Sequence, residues 1–472
     1  MGKGKRENPC RRASSSAGRG IWLATIAVFV ALLLASPFPF THSPFSFSAR
    51  AERNDYAVVS TSTREGRLAV FDDVWQTVRD RYYDANFHGV DWLAQRSVLR
   101  SRAADAQSPQ ELYAVLRHLL ATLMDAHTRV YAPDEKFDWQ HPRFVSIGVS
   151  LRAVEGQPTV VAVDHGSAAA RGGVRPGDVI ESVDGEPAAS VLERRRREQL
   201  GSSTPQAARG HALAFLLAGA PGTNVQVGWR TSGNKARSAS FRRDWHERNF
   251  VLQISHQGRD YPVVEIDAFT WAITRDLARA LKEKLSRARG LVLDLRNNGG
   301  GDAEAMAGVA SYFLPAATGL GEFTNRSGNV ALSLETQALS SLSAYSPARI
   351  DIPIVILTSD RTSSAAEILV AALKDAKRAS VIGSATCGCV LAIRSRHGLP
   401  DGGELDLSEL DYRTARHVRL EAHGIMPDEN VSLSRRDLYS GRDRVLESAL
   451  ARLKGLAAGE KPIPPLASYP DP

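Results

Sequence analysis

Cysteine is scarce in this chain, with three residues in 472, at positions 10, 387 and 389. Cys387 and Cys389 are one residue apart, a spacing that rarely closes a disulfide of good geometry. No disulfide framework is therefore expected, and stability must come from packed apolar cores. Two thiols without a second pair of cysteines or histidines make no zinc signature, and the sequence points to no metal or other cofactor. Long apolar runs are lacking too. Residues 21–35 form one of fifteen, broken only by Thr25; as a helix it reaches about 22 Å, short of a bilayer core of about 30 Å. Excess charge is also missing from most of the chain. Of the net +7, residues 1–20 supply +5, through Lys3, Lys5, Arg6, Arg11, Arg12 and Arg19 against Glu7. A nucleic-acid binder carries its basic charge in the folded part, which argues against that class.

A basic segment, a short apolar run and then Pro37 and Pro39 read as a secretory signal. Residues 1–50 are expected to be that signal, or an anchor through residues 21–40, with a linker. The remainder is expected to be exported to a periplasmic or other extracytoplasmic space, with membrane contact through this segment alone. Leu68, Val70, Phe71, Val74, Val78 and Tyr82 recur mostly at three- and four-residue steps, an amphipathic helix pattern. Ser108 and Glu111 make a helix start, with the serine capping and the acid three residues on. Residues 65–140 are thus expected to be helical.

From residue 144 the pattern changes to short strands and turns. Phe144–Leu151 and Pro158–Val163 are strand-like, followed by Gly173-Val-Arg-Pro-Gly-Asp-Val-Ile180 and Val183-Asp-Gly185. These segments resemble a PDZ domain of the bacterial protease type, here residues 144–245. The resemblance implies that the backbone of Ile147, Gly148 and Val149 receives the terminal carboxylate of a peptide that adds to a sheet edge; the alternative is a PDZ fold kept as a hinge or lid. The run Glu193-Arg-Arg-Arg-Arg-Glu198 reads as a solvated face. In residues 246–455, strands at 263–266, 291–295, 354–357 and 380–382 alternate with helical patterns at 274–288 and 364–377. That order implies an α/β core with a largely parallel sheet and active residues in loops at strand ends. Residues 456–472 are a tail.

Two such loops carry the chemistry. Leu293-Asp-Leu-Arg-Asn-Asn-Gly-Gly-Gly-Asp302 is a strand running into a glycine turn. Thr358-Ser-Asp-Arg-Thr-Ser-Ser-Ala-Ala-Glu-Ile368 is a strand ending in a serine-rich turn that opens a helix. A serine at a helix start is exposed, and the N–H groups around it support an oxyanion. Together with Val381-Ile-Gly383 and Gly424-Ile-Met-Pro-Asp428, they resemble the carboxyl-terminal-processing (tail-specific) serine peptidases, with tricorn-like features.

The resemblance implies an α/β multidomain chain: an N-terminal helical region, a PDZ-like β-rich module and a crotonase/ClpP-like peptidase core. It implies Ser364 as nucleophile, the N–H groups of Ala365 and Gly300 as oxyanion donors, and Asp375 as a supporting residue. Its substrates would be proteins or peptides with free C-terminal tails. The family's general base is a lysine in a Thr-x-Gly-Lys turn, and Cys389 holds that place in Thr386-Cys-Gly-Cys389. The tricorn-like branch instead uses a histidine, matched by His127 in Met124-Asp-Ala-His-Thr-Arg129, and a glutamate, matched by Glu421. The residues leave three readings open: a peptidase with His127 as base; an inactive PDZ-containing homologue that binds or scaffolds, His127 merely tying the helix end to the sheet; and a cysteine-dependent enzyme or redox sensor.

Overall fold

The computed structural model describes residues 59–135, 143–199, 201–248, 250–256, 260–342 and 347–459. The expected export signal and most of the expected tail lie outside the described residues. Among the described residues no helix is long and apolar enough to cross a membrane.

Three helices lead. α1 (Arg64–Arg81), α2 (Trp92–Asp105) and α3 (Pro109–Ala121) are each started by a side chain that accepts a free first-turn N–H: Thr63, Asp91 and Ser108. Beside the Ser108 cap, Glu111 accepts from the N–H of the preceding residue, Gln107, at 2.7 Å. The apolar faces of these helices meet one another and Leu391, Leu399, Leu405 and Leu407 from much later in the chain. This lobe is thus built on the last third of the sequence. After α3 the chain passes Asp125–Thr128 and enters β1 (Arg129–Tyr131).

The β-rich module starts at β2 (Arg143–Ser146). The strand expected across 144–151 is broken at Gly148, which takes φ +85°, so β3 (Val149–Val154) is separate. β3 is followed by β4 (Gln157–Val163), α4 (Ala168–Arg171), β5 (Val179–Val183) and β6 (Glu186–Pro187). Two helices, α5 (Ala188–Gln199) and α6 (Pro205–Ala214), lead to β7 (Asn224–Arg230) and β8 (Ala236–Arg242). Its sheet runs β3-β4-β5-β7-β8, leaving one side of β3 unpaired within the sheet. β9 (Asp244–Glu247) returns antiparallel to β2 and ties the module's two ends together.

In the core, β10 (Gln253–His256) and β11 (Pro262–Glu265) are followed by α7 (Trp271–Glu283). α7 starts before the predicted 274 because Thr270 accepts the Ile273 N–H. Next come β12 (Leu291–Asp294), α8 (Ala303–Ser311), β13 (Gly319–Asn325), β14 (Val330–Glu335) and α9 (Leu339–Leu342). Then follow β15 (Ile354–Thr358), α10 (Ala365–Asp375), β16 (Ala379–Gly383), β17 (Ala392–Gly398), β18 (Glu404–Arg413), β19 (Glu429–Asn430), α11 (Arg435–Ser440) and α12 (Arg444–Ala457). One sheet runs β10-β11-β12-β15-β16-β19, parallel at every junction except the first. The helices α7, α8 and α10 cover one face and α12 the other. Ile368, Leu369, Val370 and Leu373 of α10 are at most 1 % exposed, and truncating such a leucine to alanine costs about 2–5 kcal/mol. The helix that begins at Ser364 is therefore rigidly seated. A second sheet places β1 against β18, pairing Arg129 with Asp406. That pairing brings the segment before β1 to the peptidase core.

Candidate active site

Ser364 stands between β15 and α10 with φ +57° and ψ −127°, a conformation that costs an L-residue on the order of 1–3 kcal/mol and persists only where the surroundings enforce it. Here they do. Thr362 Oγ1 donates to the Leu295 carbonyl at 2.8 Å, the Ser363 N–H to that of Asn298 at 3.0 Å, and Ser359 Oγ to that of Arg296 at 2.6 Å. The serine turn is thereby bonded along the glycine turn. A Cβ on Gly300 would lie 2.7 Å from the Ser364 Cβ and 3.1 Å from its Oγ, so only glycine fits beside the serine.

Of the two expected oxyanion donors, the Ala365 N–H opens α10 and has no partner among the described residues, as the first N–H of a helix must. The Gly300 N–H differs from the expectation: it donates to Asn298 Oδ1 at 2.8 Å. Asn298 is fully buried, and its amide donates to the Ile266 carbonyl at 2.9 Å, which turns its oxygen toward Gly300.

The turn Thr386–Leu391 closes the other side, and its N–H groups hold two carboxyls. Glu367, fully buried one turn into α10, accepts from Thr386 Oγ1, from Gly388 N at 2.8 Å, from Cys389 N at 3.0 Å and from Ser364 N at 3.2 Å. Burial pushes its pKa up to about 7, against the pull of those donors. Glu421 accepts from Val390 N at 2.6 Å and Leu391 N at 3.2 Å. Burial, then repulsion from Asp125, pushes it up to about 8, with a hydrogen bond from Ser203 opposing. The Cys389 carbonyl accepts the Ser364 N–H at 2.8 Å. Contrary to the spacing argument, Cys387 and Cys389 are joined as a disulfide, their Cα atoms 5.2 Å apart. Gly388, at φ +68°, folds the chain tightly enough to allow it.

Asp125–Thr128 packs against this turn. Ala126 shares one apolar cluster with Ala207, Cys387 and Cys389. Its N–H donates to Ser203 Oγ at 3.3 Å, and Ser203 in turn bonds Glu421. Asp125 accepts from the His127 N–H at 2.7 Å and from Thr128 Oγ1, fixing the loop. Burial holds the His127 imidazole below its usual pKa, with Asp125 opposing, so the ring is neutral at neutral pH. Its Nδ1 is buried without a partner. Among the described residues no hydrogen bond joins His127 to Ser364 or Glu421; its neighbour Ala126 packs on the Thr386–Leu391 turn to which both of those bond.

Asp375 lies elsewhere. Eleven residues along α10 from Ser364, it is about 16 Å away and pairs with Arg416 at 3.5 Å. The buried Lys374 beside it pairs with Asp428 at 2.9 Å and supplies no substitute for the missing lysine. In the β-rich module, Ile147 is buried and the Gly148 N–H donates to Ser146 Oγ at 2.9 Å. β3 itself is latched to both site loops. Arg361 donates to the Leu151 carbonyl at 2.6 Å, and Arg152 to the Arg296 carbonyl at 2.9 Å and Asn297 Oδ1 at 3.0 Å. Sequence reasoning missed three contributors. Glu367 was visible only as the third residue of a helix opened by serine, and Asp125 only as part of the motif that contains His127; Ser203 carried no comparable signal.

Comparison with known proteins gives three matched family models: Peptidase family S41 over residues 260–431, the Tricorn protease C1 domain over 64–121 and a PDZ domain over 159–196. A carboxyl-terminal-processing protease of Synechocystis sp. is 28 % identical, covering 84 % of this chain and 89 % of its own. A chloroplastic carboxyl-terminal-processing peptidase 2 of Arabidopsis thaliana is 27 % identical over 76 % of this chain and 68 % of its own. Among solved structures, mature CPAF complexed with lactacystin aligns with a TM-score of 0.66 at 14 % identity, over 84 % of this chain and 99 % of that one. A photosystem II D1 C-terminal processing protease aligns at 0.54 and 24 % identity, over 83 % and 98 %. At such identities these two structures carry the fold alone.

Proposed function

Because the chain belongs to the carboxyl-terminal-processing serine peptidases of family S41 and carries their PDZ domain, we propose that it is an active endopeptidase with Ser364 as nucleophile and His127 as general base. The observation that carries this is the enforced backbone of Ser364, held at φ +57° against Gly300. A scaffold protein has no use for such strain. His127 needs no large shift to act as a base, since burial already keeps the ring neutral. The Ala365 N–H and the positive end of α10 supply oxyanion stabilisation. Glu421 fixes the Thr386–Leu391 turn beside the base loop. We further infer that the chain is exported, and that β3 receives the C-terminal tails of protein substrates as an added strand, the carboxylate lying at Ile147–Val149. The inactive-homologue reading draws on one observation, the Gly300 N–H turned to Asn298; activity requires that bond to release or the Ala365 donor to suffice.

One experiment decides between them. A serine-directed fluorophosphonate should label the parent chain and leave Ser364→Ala unlabelled. His127→Ala should lower the labelling rate by about 10²–10⁴-fold. In the parent the rate should rise with pH through a midpoint below the ordinary 6.5 of imidazole. Cleavage of a peptide ending in a free acid should exceed that of the same peptide as an amide. No labelling of the parent at any pH would establish the inactive reading, and equal cleavage would remove tail capture.

A further inference from the structure

The crosslink between Cys387 and Cys389 sits at the centre of the site and has no role in the chemistry proposed above. Its neighbours suggest one. Within six residues, Thr386–Leu391, the turn gives Thr386 Oγ1, Gly388 N and Cys389 N to Glu367, and Val390 N and Leu391 N to Glu421. Its carbonyls accept the Ser364 N–H at Cys389 and the Ala422 N–H at Gly388, at 2.8 and 2.9 Å. Thr204 Oγ1, from the segment between α5 and α6, donates to the Cys387 carbonyl at 2.8 Å. The nucleophile, both buried carboxyls and the base loop therefore all rest on the shape of this one turn.

A crosslink spanning three residues restrains the unfolded chain very little, since the entropic gain grows with loop length. Its effect is therefore local. The two cysteines are 6 % and 1 % exposed and packed on Ala126 and Ala207. Bonded sulfurs lie about 2.0 Å apart, whereas two thiols need the full van der Waals separation. A close-packed interior has no slack for that extra room, so on reduction the backbone of the turn must shift and its donors leave the carboxyls.

We propose that the Cys387–Cys389 disulfide is the positioning element of this site, and that the peptidase is competent only while it is oxidised. This rests on Ser364 being the nucleophile. The switching step is thiol–disulfide exchange with a dithiol. The reductant's first thiolate attacks one sulfur and releases the other cysteine as a thiol, and its second thiol closes on the mixed disulfide. The S–S bond breaks, two protein S–H groups form, and the dithiol leaves as its own disulfide. In the place of a lysine that would serve as a base, this chain carries a pair that fixes geometry and couples it to the redox state outside.

The test uses the full chain, oxidised and then treated with dithiothreitol, with thiols mapped by alkylation and peptide mass spectrometry. Three readouts are followed: the rate of fluorophosphonate labelling at Ser364, its pH profile, and amide hydrogen exchange of residues 386–391. Reduction should slow labelling about tenfold or more and speed exchange in that segment, while the strands of the parallel sheet stay protected. The pH profile should also move upward, toward the ordinary value of imidazole, because a displaced turn relieves the burial that holds His127 low. The double variant Cys387→Ser, Cys389→Ser should resemble the reduced chain and ignore dithiothreitol. The proposal is overturned if the mapped reduced chain labels at the oxidised rate with unchanged exchange, or if the chain isolated under oxidising conditions holds free thiols at both positions. Were the oxidised chain inert to the phosphonate, the nucleophile reading would fall; unchanged exchange on reduction would then overturn the positioning role as well, and faster exchange would uphold it.

Discussion

Two turns press on Ser364, and they keep their shape by different means. The glycine turn has no side chain at Gly299–Gly301 and is held from within by the fully buried Asn298. It approaches the serine so closely that a single added carbon would overlap. The turn at Thr386–Leu391 directs its N–H groups outward to Glu367 and Glu421 and is crosslinked across Gly388. The first achieves proximity by omitting atoms; the second achieves order by adding a bond. Their tolerance to change should differ accordingly. The glycine turn is steric and independent of pH, whereas the cysteine turn depends on the protonation of two buried acids and on a redox-active pair.

The contrast breaks most sharply at Gly300. Gly300→Ala adds a Cβ 2.7 Å from that of Ser364, at a φ of +100° that alanine rarely adopts. The fluorophosphonate labelling rate should fall by at least about 10²-fold, the scale for disrupting an oxyanion site. Near-parental labelling would mean that the glycine turn plays no part in placing the serine.

A smaller effect sharpens the other side. Glu367 and Glu421 have folded pKa values raised above the ordinary 4.5, to about 7 and about 8. The folded chain thus binds protons there that the unfolded chain has released. That contribution to stability is fully present below pH 4.5 and is lost as pH rises through 7 and 8. For Glu367 it amounts to about 3 kcal/mol. The thermal midpoint of the parent should fall between pH 5 and pH 9. Glu367→Gln should start lower, because its amide faces backbone donors, and fall less steeply. Parallel curves for parent and variant would show Glu367 to be ionised throughout. The smallest effect is expected at Asp375, remote from both turns: Asp375→Asn should change the labelling rate by less than about twofold, since a long pair with an exposed partner such as Arg416 contributes little.

Much of the architecture was legible in the sequence because it depends on local signals. Ser108 and Glu111 marked a helix start, Gly173–Ile180 marked the PDZ domain, and apolar runs at strand spacing marked the parallel sheet. Ser364 was legible for the same reason, since a strand, a serine-rich turn and a helix follow one another directly. The surroundings of the serine were less so. Glu367 acts on a turn some twenty residues further on, and Ser203 joins Ala126 to Glu421; neither pairing leaves a periodic trace. The disulfide was misjudged because spacing alone says nothing about the positive φ at Gly388 that closes it. Asp375 matched the family's motif in sequence and closes α10, at the opposite end from Ser364.

The pairing of β1 with β18 also bears on how the molecule assembles. The loop that carries His127 is seated by a strand that follows nearly three hundred residues later, and the helices α1–α3 complete their own core with Leu391, Leu399, Leu405 and Leu407. Closing contacts across so long a stretch of chain is slow and comes late in folding. In a chain still emerging, or one shortened before β18, the His127 loop has no strand to seat it beside the core that carries Ser364. The order of assembly thus leaves the site incomplete until nearly the whole polypeptide is in place.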